Sequence, residues 1–310
     1  MKRCFLYPGQ GAQYVGMGKD LWSESDSVKE VFADASEQSG IDLAQTLFDG
    51  SAEDLQKTEI TQAAVTAVNV AAMTYLGERG IVSDACAGFS LGEYSSLVDA
   101  GVLSTSVVFK LVRKRGEIMA DAAAGLVEDD GPPGMAAILG LDFEESQGVL
   151  EQLKNDDVYL ANHSSPSQIV ISGTQNGLDK ADKLFEDAGA LRFVRLKVSG
   201  PFHSPLMAKA KKGMAEYLEG IEFSDPVKPV FANVTGEKIT SGDEARKLCV
   251  EQIVSPVRWV ATEEKLLEMN FDQILEVGPG KVLSGLWKSF SKSIRCNPAG
   301  TSEAIAGIQK

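Results

Sequence analysis

Apolar side chains at Ile60, Ala63, Ala64, Ala67, Val68, Ala71, Ala72 and Tyr75 recur at the i, i+3, i+4, i+7 spacing of a buried helix, which predicts a helix over 59–76. The apolar run Ala85-Cys86-Ala87 then predicts a strand over 84–88. It leads directly into a helix at about 91–100 and a longer one at about 104–123. Near the N-terminus, Cys4-Phe5-Leu6-Tyr7 stops at Pro8-Gly9 and reads as a first buried strand.

At 125–134 the pattern breaks. Gly-Leu-Val-Glu-Asp-Asp-Gly-Pro-Pro-Gly is acidic and rich in turn formers, and it reads as a linker. Beyond it come a strand at 135–139, a helix at 143–154, strands at 158–161 and 168–172, a helix at 175–188 and a strand at 191–198. That β-α-β-β-α-β order is a ferredoxin-like unit. It is assigned to 131–198 as a small subdomain inserted into a larger α/β domain made of 1–130 and 199–310. After the insert the pattern predicts a helix at 204–219, a strand at 230–233, helices at 243–254 and 259–269, a strand at 273–277, a turn at 278–280 and a helix at 281–290. Alternating strands and helices imply a mostly parallel sheet with helices on both faces.

With 44% hydrophobic and 24% charged residues, the composition is that of an ordinary globular protein. No apolar run approaches the length of a membrane span, and the apolar start is too short for a signal peptide. Cys4, Cys86, Cys249 and Cys296 are far apart, which argues against a zinc site or a disulfide framework and for a reducing cytoplasm. The net charge of −14 argues against nucleic acid. Cations are nonetheless grouped: Lys110, Arg113, Lys114 and Arg115; Lys209, Lys211 and Lys212; Lys281, Lys288, Lys292 and Arg295.

The chemistry is concentrated at Gly88-Phe89-Ser90-Leu91-Gly92, which stands between a predicted strand and a predicted helix. A serine between two glycines there has the form of a nucleophile elbow, with free backbone N–H groups at the helix start. Serine needs a base, and the chain holds two histidines. His203, in Pro201-Phe202-His203-Ser204-Pro205 where the chain re-enters the large domain, is favoured over His163 at a strand end in the small one. No Asp or Glu clearly completes a triad, and a backbone carbonyl can orient the imidazole instead. Gln10, between glycines after the first strand, is placed to offer a backbone N–H to an oxyanion together with Leu91. Arg115 is suited to hold a carboxylate through two parallel bonds, although spacing alone does not distinguish it from Arg113 and Lys114.

Taken together, Pro8-Gly9-Gln10-Gly11-Ala12-Gln13, Gly88-Phe89-Ser90-Leu91-Gly92-Glu93-Tyr94, Arg115-Gly116, Pro201-Phe202-His203-Ser204, Gln252 with Pro256-Val257-Arg258-Trp259, and Glu276-Val277-Gly278-Pro279-Gly280 resemble the malonyl-CoA:acyl carrier protein transacylases in order and spacing. The resemblance covers essentially the whole chain. It implies a hydrolase-like α/β domain with a ferredoxin-like insert. Ser90 would carry malonyl as an ester, and His203 would be base and then acid. The N–H groups of Gln10 and Leu91 would form the oxyanion hole, and Arg115 would bind the malonyl carboxylate. Gln252 would support the histidine and border the pocket, and Asn162 would be a polar group in a small-domain loop facing the cleft. Phe202 would lie where an α-methyl branch falls, disfavouring methylmalonyl.

One departure from the family stands out: Phe89 replaces the histidine usual before the nucleophile. The expected reaction is ping-pong acyl transfer with coenzyme A as a thioester substrate and with no metal or redox cofactor. The expected partners are malonyl-CoA and an acyl carrier protein, with no nucleic acid and no membrane, and the expected working unit is a monomer. Rival readings are a serine hydrolase or thioesterase, a non-catalytic carrier-binding module, and an acyltransferase of the same family with another acyl group.

Overall fold

The computed structural model describes residues 1–127 and 131–309; residues 128–130 of the acidic break lie outside it. The chain starts with β1 (Arg3–Tyr7), α1 (Lys19–Glu24), α2 (Asp26–Ser39), α3 (Leu43–Phe48), α4 (Thr58–Gly77), β2 (Ala85–Gly88), α5 (Gly92–Asp99) and α6 (Thr105–Ala124). It continues with β3 (Gly134–Leu139), α7 (Phe143–Gln152), β4 (Val158–Ser165), β5 (Gln168–Gly173), α8 (Gln175–Asp187) and β6 (Arg192–Arg195). It closes with α9 (Ala208–Leu218), β7 (Val230–Phe231), α10 (Gly242–Glu251), α11 (Trp259–Glu268), β8 (Gln273–Glu276), α12 (Val282–Phe290), β9 (Cys296–Pro298) and α13 (Ser302–Ala306).

Five strands in the order β7-β2-β1-β8-β9 form one sheet in which every neighbouring pair is parallel. Every residue of β1 is buried, as a strand covered on both faces requires. Phe5, Tyr7, Cys86, Leu275 and Val230 face a core shared with α2, α4, α5 and α6. Cys4, Leu6, Ala85, Ala87 and Ile274 point the other way, onto Trp259, Leu266, Leu283 and Trp287 of α11 and α12. The period-2 alternation of side chains therefore divides the apolar residues between two layers of helices.

The second sheet, β4-β5-β3-β6, is antiparallel throughout and has the strand order of a ferredoxin-like unit. Ala136, Ile138, Ile169 and Ile171 pack under α7 and α8. The alternate positions Met135, Ala137 and Val170 join the main core beside Met119, Ala122 and Phe202. One face of the small sheet is thereby fastened to the large unit close to the loop that carries His203.

Helices α1–α3 have no counterpart among the elements predicted from the sequence. The signal was present in α2, where Val28, Phe32, Ala35 and Ser39 form the buried stripe and Ser25 caps the helix, but polar residues dilute the stripe. Strand β9 and helix α13 were also missed. The strand predicted at 191–198 pairs only over Arg192–Arg195, and the one at 230–233 only over Val230–Phe231. At 232 the chain leaves the ladder, with Ala232 N–H bonded to the Glu237 carbonyl, and this places Asn233 at the carboxyl end of the sheet. No helix among the described residues is long and apolar enough to cross a membrane.

Candidate active site

Strand β2 ends at Gly88, α5 begins at Gly92, and Ser90 occupies the turn between them at φ 52°, a left-handed conformation uncommon for a residue with a Cβ. The turn is tight because the two glycines meet: a Cβ on Gly88 would overlap the Gly92 carbonyl. Asn233 holds the turn in this shape. Its Oδ1 accepts the Ser90 N–H at 2.6 Å, and its Nδ2 donates to the Gly88 carbonyl at 2.7 Å.

His203 also has positive φ, 59°, so both members of the pair are held in strained backbone. Such residues cost about 1–3 kcal/mol each and persist where the surroundings over-determine them. The His203 loop is pinned from the small subdomain, where the Ser172 hydroxyl of β5 donates to the Phe202 carbonyl. The His203 Nε2 lies 2.7 Å from Ser90 Oγ, and its Nδ1 lies 2.9 Å from the Gln252 carbonyl oxygen. A carbonyl only accepts, so Nδ1 carries the proton and Nε2 presents its lone pair to the serine hydroxyl. The orienting group is thus a backbone carbonyl, and the pair is a dyad. Burial, with Arg115 nearby, pushes the His203 pKa down to about 4, so the ring is a neutral base at pH 7.

The loop after β1 packs beside the elbow. Gly9 approaches it so closely that a Cβ would overlap the Phe89 carbonyl and lie 3.4 Å from the Leu91 nitrogen. Asn69 of α4 fixes this loop by donating to the Pro8 carbonyl at 3.0 Å. Among the described residues, no hydrogen bond uses the N–H of Gln10 or of Leu91. Both donors are therefore unused beside the elbow.

Arg115 is 1% exposed, whereas its neighbours Arg113 and Lys114 pair with Glu117 at the surface. Helix α6 turns Arg115 inward, over the Tyr94 ring at 5.2 Å. Its guanidinium donates to Gln62 Oε1 and to Gln252 Oε1, each at 2.9 Å, and its Nε has no partner among the described residues. No carboxylate among the described residues lies within ion-pair distance of it. Gln252 does the most positioning. Its carbonyl orients His203, its Oε1 holds Arg115, and its Nε2 donates to the Ser90 carbonyl at 3.1 Å and to Glu93 Oε2 at 2.8 Å. A nucleophile, a neutral base, two free N–H groups and a buried guanidinium can open an activated acyl group that carries a negative end.

Ser90, His203, Arg115 and Gln252 are joined directly by hydrogen bonds. Asn162 is not joined to them, and it lies within strand β4 rather than in a loop, at a bulge where it bridges to Val257. Its Oδ1 is buried with no partner. The Phe202 ring packs in the main core beside Gly200, and no contact places it against the dyad. The Phe89 ring packs edge-on against Trp259, with centroids 5.3 Å apart. His163 stacks on Phe143 with centroids 4.1 Å apart, outside the dyad.

Sequence reading missed Asn233, Gln62 and Glu93. Each carried a signal. Asn233 falls at the carboxyl end of a strand, where ligands of open α/β sheets bind. Gln62 is a long polar side chain among the small and apolar residues of α4, and Glu93 directly follows the elbow.

The acyl transferase domain family matches residues 4–309. The malonyl CoA-acyl carrier protein transacylase of Bacillus subtilis strain 168 is 40% identical over 306 residues, covering 98% of this chain and 95% of that protein. A crystal structure of malonyl-CoA:acyl carrier protein transacylase from Xanthomonas oryzae superposes with a TM-score of 0.93 at 38% identity, over 99% of this chain and 98% of that one. A type II PKS acyl-carrier protein in complex with its malonyl-transacylase gives a TM-score of 0.93 at 36% identity, over the same shares of the two chains.

Proposed function

The chain belongs to the acyl transferase domain family, and we infer that it transfers a malonyl group from coenzyme A to the phosphopantetheine thiol of an acyl carrier protein, supplying malonyl units for fatty acid synthesis. The observation that carries this reading is the buried Arg115, which has no carboxylate partner among the described residues and is tied to the same Gln252 that orients His203. A hydrolase acting on neutral esters has no use for that cation.

In this reading His203 Nε2 takes the Ser90 hydroxyl proton as Oγ attacks the thioester carbon. The carbonyl oxygen becomes an oxyanion held by the N–H groups of Gln10 and Leu91, each worth about 3 kcal/mol by analogy with other oxyanion holes. The intermediate collapses, the C–S bond breaks, and coenzyme A leaves with the proton from His203. The carrier thiol then gives its proton to His203 and attacks the malonyl ester. The C–O bond breaks, and Ser90 Oγ recovers the proton. Arg115 fixes the free carboxylate so that only an aligned nucleophile reacts.

The chemistry calls for no metal or redox cofactor. Every group named comes from one chain, which supports a monomer as the working unit, and four buried, unpaired thiols support a cytoplasmic setting. The test is to mix the protein with malonyl-CoA or acetyl-CoA and a holo carrier protein, and to follow acylated protein and then acylated carrier by mass. Water as the main acceptor would favour a hydrolase.

A further inference from the structure

Glu93 is fully buried in the first turn of α5, and the acyl-transfer steps do not use it. Its Oε2 accepts the Asn233 N–H at 2.9 Å and Gln252 Nε2 at 2.8 Å, while Oε1 has no partner among the described residues. The Gln252 carboxamide therefore bridges two buried charges, with its oxygen on Arg115 and its nitrogen on Glu93. Among the described residues Glu93 is the one carboxylate linked to Arg115 in this way.

The other ionisable groups around it do not carry charge at neutral pH. Tyr94 of α5, Tyr7 of β1, Cys86 of β2 and Cys249 of α10 are held protonated by burial, and His203 is neutral. Asp99, at the far end of α5, is paired with Lys228 at 2.9 Å. Helix α4 presents the neutral Gln62 and Asn69, and β7 leads to the neutral Asn233. Arg115 and Glu93 thus make up the charge balance of the site.

A malonyl carboxylate placed on Arg115 brings a second negative charge into this buried space. Two carboxylates with one cation leave an uncompensated buried charge, which is strongly unfavourable. A proton on Glu93 removes it: Arg115⁺ and Glu93⁻ in the free protein become Arg115⁺, malonyl⁻ and neutral Glu93. We propose that Glu93 is the counter-charge of Arg115 in the free protein, and that it yields this role to the malonyl carboxylate by taking up one proton. It acts as a positioning residue for acyl selection and does not touch the reacting atoms. Its carboxyl suits this exchange, since burial raises its pKa to about 7 against the lowering effect of Asn233, Gln252 and Arg115.

The inference rests on the malonyl reading, and the test separates the two. The Ser90→Ala protein, which binds but cannot be acylated, is titrated with malonyl-CoA in a calorimeter at about pH 7, in buffers of different ionisation enthalpy. Uptake of about half a proton per malonyl-CoA is expected, because a group with a pKa near 7 is half ionised there. Acetyl-CoA should show none. Adding Glu93→Gln, whose carbonyl oxygen can accept both N–H groups, should keep malonyl binding and abolish the uptake. An infrared band of a protonated buried carboxyl, appearing when malonyl-CoA binds to Ser90→Ala alone, tests the same point without altering Glu93. Malonyl-CoA binding with no buffer dependence, or uptake that survives Glu93→Gln, overturns the inference alone. No binding at all overturns the malonyl reading and the inference with it.

Discussion

Arg115→Ala removes the buried cation that is proposed to hold the malonyl carboxylate. Breaking a buried ion pair by deleting one partner costs about 3–5 kcal/mol. At about 1.4 kcal/mol per factor of ten, kcat/KM for malonyl-CoA should fall by roughly 10²- to 10⁴-fold. Acetyl has no carboxylate to lose, so its transfer should change little, and the gap between the two substrates should narrow by nearly the whole factor. The dyad should survive, because His203 is oriented by the Gln252 backbone carbonyl and not by the carboxamide that Arg115 holds. Stability will suffer. The amide oxygens of Gln62 and Gln252 lose their donor, at about 1–3 kcal/mol for each group left unsatisfied. Thermal melts must therefore accompany the kinetics. Arg115→Lys keeps the charge, but one ammonium cannot span two amides and a carboxylate as the planar fork does, so it should fall between the two. The assay is transfer of labelled malonyl and acetyl from coenzyme A to a holo carrier, with kcat/KM measured for each. Equal losses for both acyl groups in a folded Arg115→Ala protein would refute the reasoning, as would equal kcat/KM for both in the unmutated protein.

Ser90→Ala should abolish the covalent acyl-enzyme seen by intact mass, and a malonyl adduct persisting on Cys86 would sink the assignment. His203→Ala should cut turnover by at least about 10²-fold. A base is active when unprotonated, and His203 is depressed to about 4, so acetyl transfer should stay flat through neutral pH and fall only as pH drops toward 4; an acid limb near 6.5 would mean that the ring is not desolvated. Glu263, raised to about 9 by burial despite the Trp259 indole bond, is neutral at pH 7. A raised carboxyl stabilises the fold below its unfolded pKa and loses that contribution as pH rises through the folded one. Melting temperature should thus fall progressively as pH rises from about 4.5 to about 9 and level off above it, and Glu263→Gln should flatten the fall; an unchanged slope counts against a neutral Glu263. For carrier docking, Lys209, Lys211, Lys212 and Lys288 are the candidates. Lys211 and Lys212 already pair with Glu251 and Glu216, whereas Lys288 lines a 660 Å³ groove with Lys281, Lys292 and Arg295 that shares no residue with the dyad site. Lys288→Glu should raise KM for an acidic carrier and leave that for malonyl-CoA nearly unchanged, and a carrier reaction insensitive to salt would argue otherwise.

Local pattern alone determined much of this protein. Period-2 and period-3.6 apolar spacing located the buried strands, helices α4 to α6 and the β-α-β-β-α-β order, because those periods are properties of single elements. The glycine-flanked Ser90 was legible because the turn is built from consecutive residues. His203 was legible because only two histidines were available and one lay on a stiff loop. Only the tertiary structure could decide what depends on residues distant in the chain. Arg115 differs from Arg113 and Lys114 solely in the direction α6 turns it, toward Gln62 and Gln252. The His203 tautomer is set by a carbonyl 49 residues away, and the elbow is clamped by Asn233, 143 residues after Ser90. Glu93 lies in plain sight after the elbow, yet its value as a counter-charge exists only once burial removes water and leaves it bridged to one cation. Hydrogen-bond geometry and desolvation arise from packing, and no window of sequence contains them.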